Sequence, residues 1–411
     1  MLLKISLFTL MTLCSLKAEI VSSQDYQYPF VNNLLGTMGA TIIKTPPRHN
    51  FEVLKLQVRA RRAGTPIGLE KVRVHYYSSR RQSEKVIFVM AGLGGDGKGN
   101  LGNFLANFLS QQGYHAFVIP SLFFKRFAYA ASSHGLPGNI AEDVKDYYQG
   151  MQKIIQMLSQ RLHISFRDVN LMGYSLGGIT ALHLAHEDSI QRVLNFRKVI
   201  ALNPPVDLKY GIELLDSFYY RSERMGRVEK AQVLVRALKQ IKINSSAQLN
   251  VQRVSNFFNQ FGSRVSNAGL EFLISTSMRR SLTGIVLASQ KANNTGVLPL
   301  IFKRRAAKKF TFSQYIQDIL VPFYSRRYNM RNLSFSDISN MVSVPIISGY
   351  LRSAQNVFLM HNADDFLLRP GDVQYIDSLF GHRSVIYPRG GHLGNLWHPR
   401  NLRQITNWLM N

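Results

Sequence analysis

Residues 169–182 read Val169-Asn170-Leu171-Met172-Gly173-Tyr174-Ser175-Leu176-Gly177-Gly178-Ile179-Thr180-Ala181-Leu182. A buried-type apolar run from Val169 to Gly173 has the length of a strand, and Leu176 to Ala185 continues as a helix. So sharp a strand-to-helix turn needs small residues on both sides of its apex, which Gly173 and Gly177 supply, and the Ser175 hydroxyl then projects from the edge of the sheet. Gly-x-Ser-x-Gly alone arises by chance in about one chain in seven of this length at ordinary Gly and Ser frequencies. Its weight here comes from what surrounds it.

Upstream, Phe51–Arg59 and Leu69–Ser78 read as an antiparallel strand pair around a Gly64-Thr65-Pro66 turn, after a poorly patterned stretch from Val21 to Asn50. Lys85–Gly92 is a continuous apolar strand whose Gly-rich continuation, Leu93–Asn100, must be a loop. Parallel βαβ rhythm follows: a helix over Leu101–Gln112, a strand over His115–Pro120, and a helix running to Leu162 that Asn139 caps with Glu142 three residues on. A strand over Lys198–Asn203 ends at Pro204-Pro205. The strand rhythm resumes at Asn356–His361, with a helix over Asp372–Phe380, a strand over Ser384–Tyr387 and a last helix from Pro399.

Between these halves, residues 209–355 are helical in pattern, as in Val233–Ile243 and Phe312–Ile319, and carry 22 basic against 7 acidic residues. This block reads as an insertion. Its aromatics, Phe218, Tyr219, Tyr220, Phe257, Phe258, Phe323 and Tyr324, are available to line an apolar pocket, although packing the insertion's own core is the commoner task for such residues. The expected organisation is a leader over 1–18, a first core part over 19–208, a helical cap over 209–355 and a second core part over 356–411.

A serine hydroxyl is a weak nucleophile at neutral pH unless an imidazole takes its proton and a carboxylate orients that imidazole. Asp364 and Asp365 follow the strand ending at His361, and His392 follows the strand ending at Tyr387. All three groups sit at carboxyl ends of expected strands, where an open α/β sheet binds its ligands.

The loop Met90-Ala91-Gly92-Leu93-Gly94-Gly95, the elbow Gly173–Gly178, the Asn362-Ala363-Asp364-Asp365 step and Gly391-His392-Leu393-Gly394 resemble the α/β-hydrolase superfamily, closest in motif to its abhydrolase-domain esterase and lipase branch. Met90-Ala91-Gly92 stands where many members have a His-Gly pair. The resemblance implies an α/β fold, with a mostly parallel central sheet flanked by helices and a largely helical cap. It also implies Ser175 as nucleophile, Asp365 as orienting acid and His392 as general base. The backbone amides of Leu93 and Leu176 would form the oxyanion hole. Asp365 is preferred over Asp364 because it stands four residues after His361, as in the family's His-Gly-x-x-Asp step. The expected activity is hydrolysis of a carboxylic ester, lipid and acyl esters included, through an acyl-enzyme and with no metal or organic cofactor. A peptidase or amidase would use the same residues, and a non-catalytic binder of envelope polyanions would use only the surface.

His183 and His186 share a helical face but lack the Glu of a zinc-protease motif, so packed or solvated histidines are expected there. Gly94–Gly99 lacks the spacing of a phosphate loop. The chain opens with Lys4, an apolar run from Ile5 to Leu16, and Lys17-Ala18, the layout of a signal peptide cleaved after Ala18, which would export the protein to the periplasm or beyond the cell. Its only cysteine, Cys14, falls in that run, and bulky Leu13 makes a poor lipoprotein site. Once the leader is removed, the chain has no thiol for a disulfide, a thiolate zinc site or a cysteine nucleophile.

The net charge of +26 includes Arg59-Ala60-Arg61-Arg62, Arg80-Arg81 and Lys303-Arg304-Arg305 with Lys308-Lys309. Such a surface is attracted to an anionic membrane or envelope polymer, and no nucleic-acid motif accompanies it.

Overall fold

The computed structural model describes residues 17–47, 50–62, 65–293 and 304–411. Residues 1–16 of the expected leader, Cys14 among them, lie outside these, as do Gly64 of the expected turn and Lys303. Among the described residues, nine strands form one sheet: β1 (Glu19–Ile20), β2 (Glu52–Leu56), β3 (Val72–Tyr77), β4 (Lys85–Met90), β5 (His115–Ile119), β6 (Asp168–Tyr174), β7 (Lys198–Leu202), β8 (Val357–Asn362) and β9 (Ser384–Tyr387). Their order is β1-β9-β8-β7-β6-β4-β5-β3-β2. Only the β2–β3 and β3–β5 pairings are antiparallel.

The central strands β4, β5, β6 and β7 are buried almost throughout, as continuous apolar runs covered on both faces must be. The covering helices include α2 (Asn100–Gln111), α4 (Ile140–Leu162) and α5 (Leu176–Gln191), with α1 (Asn33–Thr37) and α3 (Lys125–Ala130) in shorter links. Burial of Val86, Phe88, Leu171 and Val199 on one side and of Ile87, Val89, Met172 and Ile200 on the other divides the core into two clusters, one per face.

The expected cap on α4 does not form. Asn139 precedes the helix but makes no side-chain cap; its amide donates instead to the Tyr328 hydroxyl at 3.0 Å, while Glu142 pairs with Arg327 at 3.2 Å. Arg327 on the inserted helices takes Glu142, while the Asn139 side-chain oxygen, the atom a cap would use, accepts no hydrogen bond among the described residues.

Between β7 and β8 the chain is helical, beginning with α6 (Leu208–Glu223), α7 (Arg227–Asn244), α8 (Val251–Gly262), α9 (Asn267–Arg279) and α10 (Leu282–Asn293) and closing with short helices up to Ser353. Packing is continuous across this segment and the sheet: Ile285, Val286, Tyr315 and Leu351 share one apolar cluster with Val86 and Leu171. Of the aromatics noted in the sequence, Phe218, Phe257, Phe258 and Tyr324 are buried in these cores.

The stretch from Val21 to Pro47, without clear pattern in sequence, is ordered by distant partners. Glu19–Ile20 adds a parallel edge to β9, and the Tyr26 hydroxyl donates to Asn401 at 2.8 Å. From the turn before β9, buried Arg383 reaches the end of the insertion, donating to the carbonyls of Leu351 (2.9 Å), Ala354 (2.7 Å), Val357 (3.1 Å) and Leu379 (2.8 Å), and has no carboxylate partner among the described residues. Removing it strands several buried acceptors at once. Arg383→Ala is therefore expected to cost roughly 3 kcal/mol or more of unfolding free energy, read by urea denaturation; an unchanged midpoint would show that this seam bears no load.

Candidate active site

Ser175 is the apex between β6 and α5, with φ 57° and ψ −127°, a backbone region that residues other than glycine rarely occupy. The residues two before and two after it must be glycine. A Cβ on Gly173 would lie 1.9 Å from the Gly177 carbonyl oxygen, and one on Gly177 would lie 2.3 Å from that of Met90. Helix and strand can cross this closely only without those atoms, and the hydroxyl is thereby fixed at the sheet edge.

The Ser175 Oγ lies 2.8 Å from His392 Nε2, and His392 Nδ1 lies 2.8 Å from Asp365 Oδ2. Residues 217 positions apart in the chain are thus brought into contact. The carboxylate can only accept, so Nδ1 carries the proton in the neutral imidazole and Nε2 is left to accept from the serine hydroxyl. Asp365 also accepts from the Leu367 amide (3.0 Å) and the Asn203 side-chain amide (3.0 Å). Burial alone would raise its pKa, but the His392 imidazole and its hydrogen bond, His361 and the Leu367 amide together hold the carboxyl below the usual carboxylate range.

Asp364, its rival in sequence, does not meet the imidazole. Its two oxygens accept from the Gly391 amide (2.9 Å) and the Gly390 amide (3.2 Å), and burial pushes its pKa up to about 6. It holds the loop that carries the histidine. His361 is buried and keeps its Nε2–H on the Pro204 carbonyl at 3.1 Å, while its Nδ1 accepts from the Asn362 amide at 3.0 Å. Burial lowers its pKa, against the opposing pull of the Asp365 carboxylate 3.8 Å away.

Several residues that secure this loop carry no sequence motif. Thr37 Oγ1, at the end of α1, accepts the His392 amide at 2.8 Å and donates to the Asn33 carbonyl at 2.8 Å. A Cβ on Gly391 would lie 2.2 Å from the Asn33 carbonyl oxygen, and one on Gly394 would lie 1.9 Å from that of Gly36, so α1 rests directly on the loop backbone. Beneath it, Asn362 donates to the Gly391 carbonyl (2.8 Å), and Asn395 exchanges bonds with Asn362 and donates to the Tyr26 hydroxyl (2.8 Å).

Ser175 opens into an apolar cavity of about 720 Å³, measured with its mouth. Leu93 and Leu176 line it beside the serine, and Leu176 opens α5, where the first amides have no intrahelical partner. From the inserted segment come Ile212, Leu215, Met278, Phe312, Tyr315 and Leu320. The Tyr315 hydroxyl is spent on the Pro137 carbonyl at 2.7 Å, and among the described residues no charged side chain lines the cavity. Its aromatics, Phe123, Phe312 and Tyr315, are not those singled out from the sequence.

His183 is buried on α5, with its pKa lowered to about 4 by burial, and His186 packs its ring on Tyr350. No group of three or more His, Cys, Asp or Glu side chains able to hold a metal occurs among the described residues.

A parallel sheet with a serine elbow, and a histidine and a carboxylate on the following strand ends, defines the class of α/β hydrolases. A family model described as the alpha/beta hydrolase fold matches residues 85–399, and the chain belongs to that family: it is an α/β-hydrolase enzyme. Comparison with curated protein sequences finds no match. Among solved structures, the chain is similar to an esterase of Pyrococcus furiosus (10% identity, 90% of this chain and 97% of that one covered, TM-score 0.43). It is also similar to naproxen esterase of Bacillus subtilis (12%, 95% and 99%, TM-score 0.40) and to proline iminopeptidase of Mycobacterium smegmatis (13%, 87% and 98%, TM-score 0.41).

Thr37→Val keeps the shape of the side chain but leaves the His392 amide without an acceptor. The expected cost is about 1–3 kcal/mol in chemical denaturation, and retention of full stability would mean that water replaces the threonine.

Proposed function

We propose that the protein is a serine esterase that hydrolyses small-molecule carboxylic esters with apolar acyl groups. The observation that carries this reading is the 2.8 Å approach of Ser175 Oγ to an imidazole already oriented by Asp365, at the head of a cavity with no charged wall. Ser175 attacks the ester carbonyl while His392 takes its proton, and the amides of Leu93 and Leu176 receive the developing oxyanion. On collapse, the acyl C–O bond breaks and the departing alcohol takes the proton from His392. Water, deprotonated by the same histidine, then releases the carboxylate and regenerates the serine. Asp365 holds the imidazole tautomer throughout. The proposed reaction calls on no metal or organic cofactor.

Residues 209–355 are proposed as the cap that selects the acyl group, because seven of the apolar cavity residues, Ile316 among them, come from it. An aminopeptidase would need a carboxylate to receive its substrate's terminal ammonium, and the lining supplies none, which favours the ester over the amide reading. The charged ends of the Ile5–Leu16 run support export through residues 1–18.

A fluorophosphonate probe is expected to label wild-type protein and not Ser175→Ala; equal labelling of both would overturn the assignment. With p-nitrophenyl esters, Asp365→Asn should lower kcat by about 10⁴-fold with the fold intact. Asp364→Asn should cost far less, since it loosens the loop without touching the imidazole. A larger effect at Asp364 than at Asp365 would exchange their roles. In a panel of acyl esters and aminoacyl anilides, kcat/KM should rise with acyl length up to the depth of the cavity, and Ile212→Trp should lower it for long acyl groups by about 10-fold or more while sparing acetate.

A further inference from the structure

Among the described residues, fifteen large apolar side chains are exposed, and five of them lie on α7: Val228, Leu234, Val235, Leu238 and Ile243. On a helix turning about 100° per residue, Val228, Leu234, Val235 and Leu238, together with Ala231, fall within an arc of about 120°. Val233, Ala237, Gln240 and Asn244 occupy the opposite side, where α7 is buried against its neighbours. Helix α7 therefore packs one mixed face against the fold and carries a second, apolar face that stays exposed among the described residues. Val228 at 72%, Leu238 at 68% and Val235 at 64% stand well out of the surface, and Leu234 at 38% lies at the edge of the stripe.

Charge frames the outer stripe. Arg227 and Lys242 lie within the arc at the two ends of the helix, and Lys239 lies at its border. None of the three is paired with a carboxylate among the described residues. The helix carries five basic residues against one acid, Glu229, which sits away from the stripe beside Gln232, Val233 and Arg236. Lys230 is occupied by Glu223 at 2.8 Å.

We propose that α7 is a docking surface for an anionic lipid bilayer, its apolar stripe entering the headgroup boundary while Arg227, Lys239 and Lys242 reach the lipid phosphates. A helix lying in the interface requires this combination of an apolar stripe with flanking basic residues. A soluble polyanion would find the charges but leave the stripe in water. A second copy of this chain, at net charge +26, would bring like charge against like. Docking places the protein where apolar acyl esters are dissolved, and α9, which packs against α7, carries Met278 into the cavity wall. The surface itself does not depend on the esterase reading; its use in reaching substrate does.

The test is co-sedimentation of the full chain with vesicles of phosphatidylglycerol and phosphatidylcholine, against vesicles of phosphatidylcholine alone. Binding is expected to the mixed vesicles, weakened by salt. Val235→Asp with Leu238→Asp should lower the partition coefficient at least about 10-fold, with the circular dichroism spectrum unchanged. Lys239→Glu with Lys242→Glu, which leaves the packed face untouched, should do the same for the anionic vesicles only. Hydrolysis of a short soluble ester should remain at the wild-type rate in both pairs.

Failure of the wild-type chain to bind mixed vesicles overturns the proposal, as does equal binding by both variant pairs. Conversion of a dimer to a monomer by the aspartate pair, without any effect of lipid, assigns the stripe to self-association instead. Vesicle binding that follows the expected pattern in a chain that hydrolyses no ester would sink the esterase reading and leave the surface standing.

Discussion

The backbone of Ser175 occupies a conformation that costs about 1–3 kcal/mol, and the geometry of the site follows from how that cost is sustained. Gly173 and Gly177 let the end of β6 and the start of α5 close on each other and on the β4 backbone with no side chain between them. The Ser175 amide donates to the Leu202 carbonyl of β7 at 2.9 Å, and its carbonyl accepts from Gly178 at 2.8 Å. The strained residue is thus held on both sides by the most deeply buried strands of the sheet. A flexible serine would sample many orientations; this one presents its hydroxyl in one.

The partner side of the relay is secured differently. Tyr387 ends a strand of four residues, and the loop beyond it, through Gly390, Gly391 and Leu393, runs at positive φ. Such a loop has little order of its own. It is fixed from below by Asn362 and Asn395, from the side by Asp364, and from above by α1 and Thr37. Burial makes these hydrogen bonds strong and their loss costly, because the exposed alternative of bonding to water is absent. The serine is held by backbone sterics and the histidine by a polar network, so the two are vulnerable to different substitutions.

That difference also explains what was legible in the sequence. Strands β4 to β9 and helices α2, α4 and α5 announce themselves by continuous apolar runs, periodicity and glycine punctuation, all of which are local. The elbow was legible for the same reason, and so was the order of serine, acid and histidine at strand ends. Residues 19–43 were not, because their order comes from contacts such as Thr37 with His392, 355 positions away, and Tyr26 with Asn401, 375 positions away. Nothing local in that stretch encodes such partners. The cap at Asn139 failed in the opposite sense: the local signal was sound, but Arg327 took Glu142, and Asn139 gave its NH2 to Tyr328 with no helix amide on its oxygen. Periodicity likewise marked the inserted helices as amphipathic without saying which face meets the cavity, so Phe312 and Tyr315 passed unnoticed as lining residues.

The polar relay and the apolar cavity are built from adjacent residues rather than from separate regions. Leu176 follows Ser175, Leu367 follows Asp365 by two positions, and Leu93 follows the Met90-Ala91-Gly92 turn that packs on the elbow; all three leucines face the cavity. Displacing the cavity wall therefore displaces the backbone that positions the relay. The opposite wall comes from helices inserted between β7 and β8, which can vary without moving any strand end. The lining on the inserted side is thus free to change while the sheet side is constrained twice, once by the relay and once by packing, and it is the inserted side that also presents α7 to its surroundings.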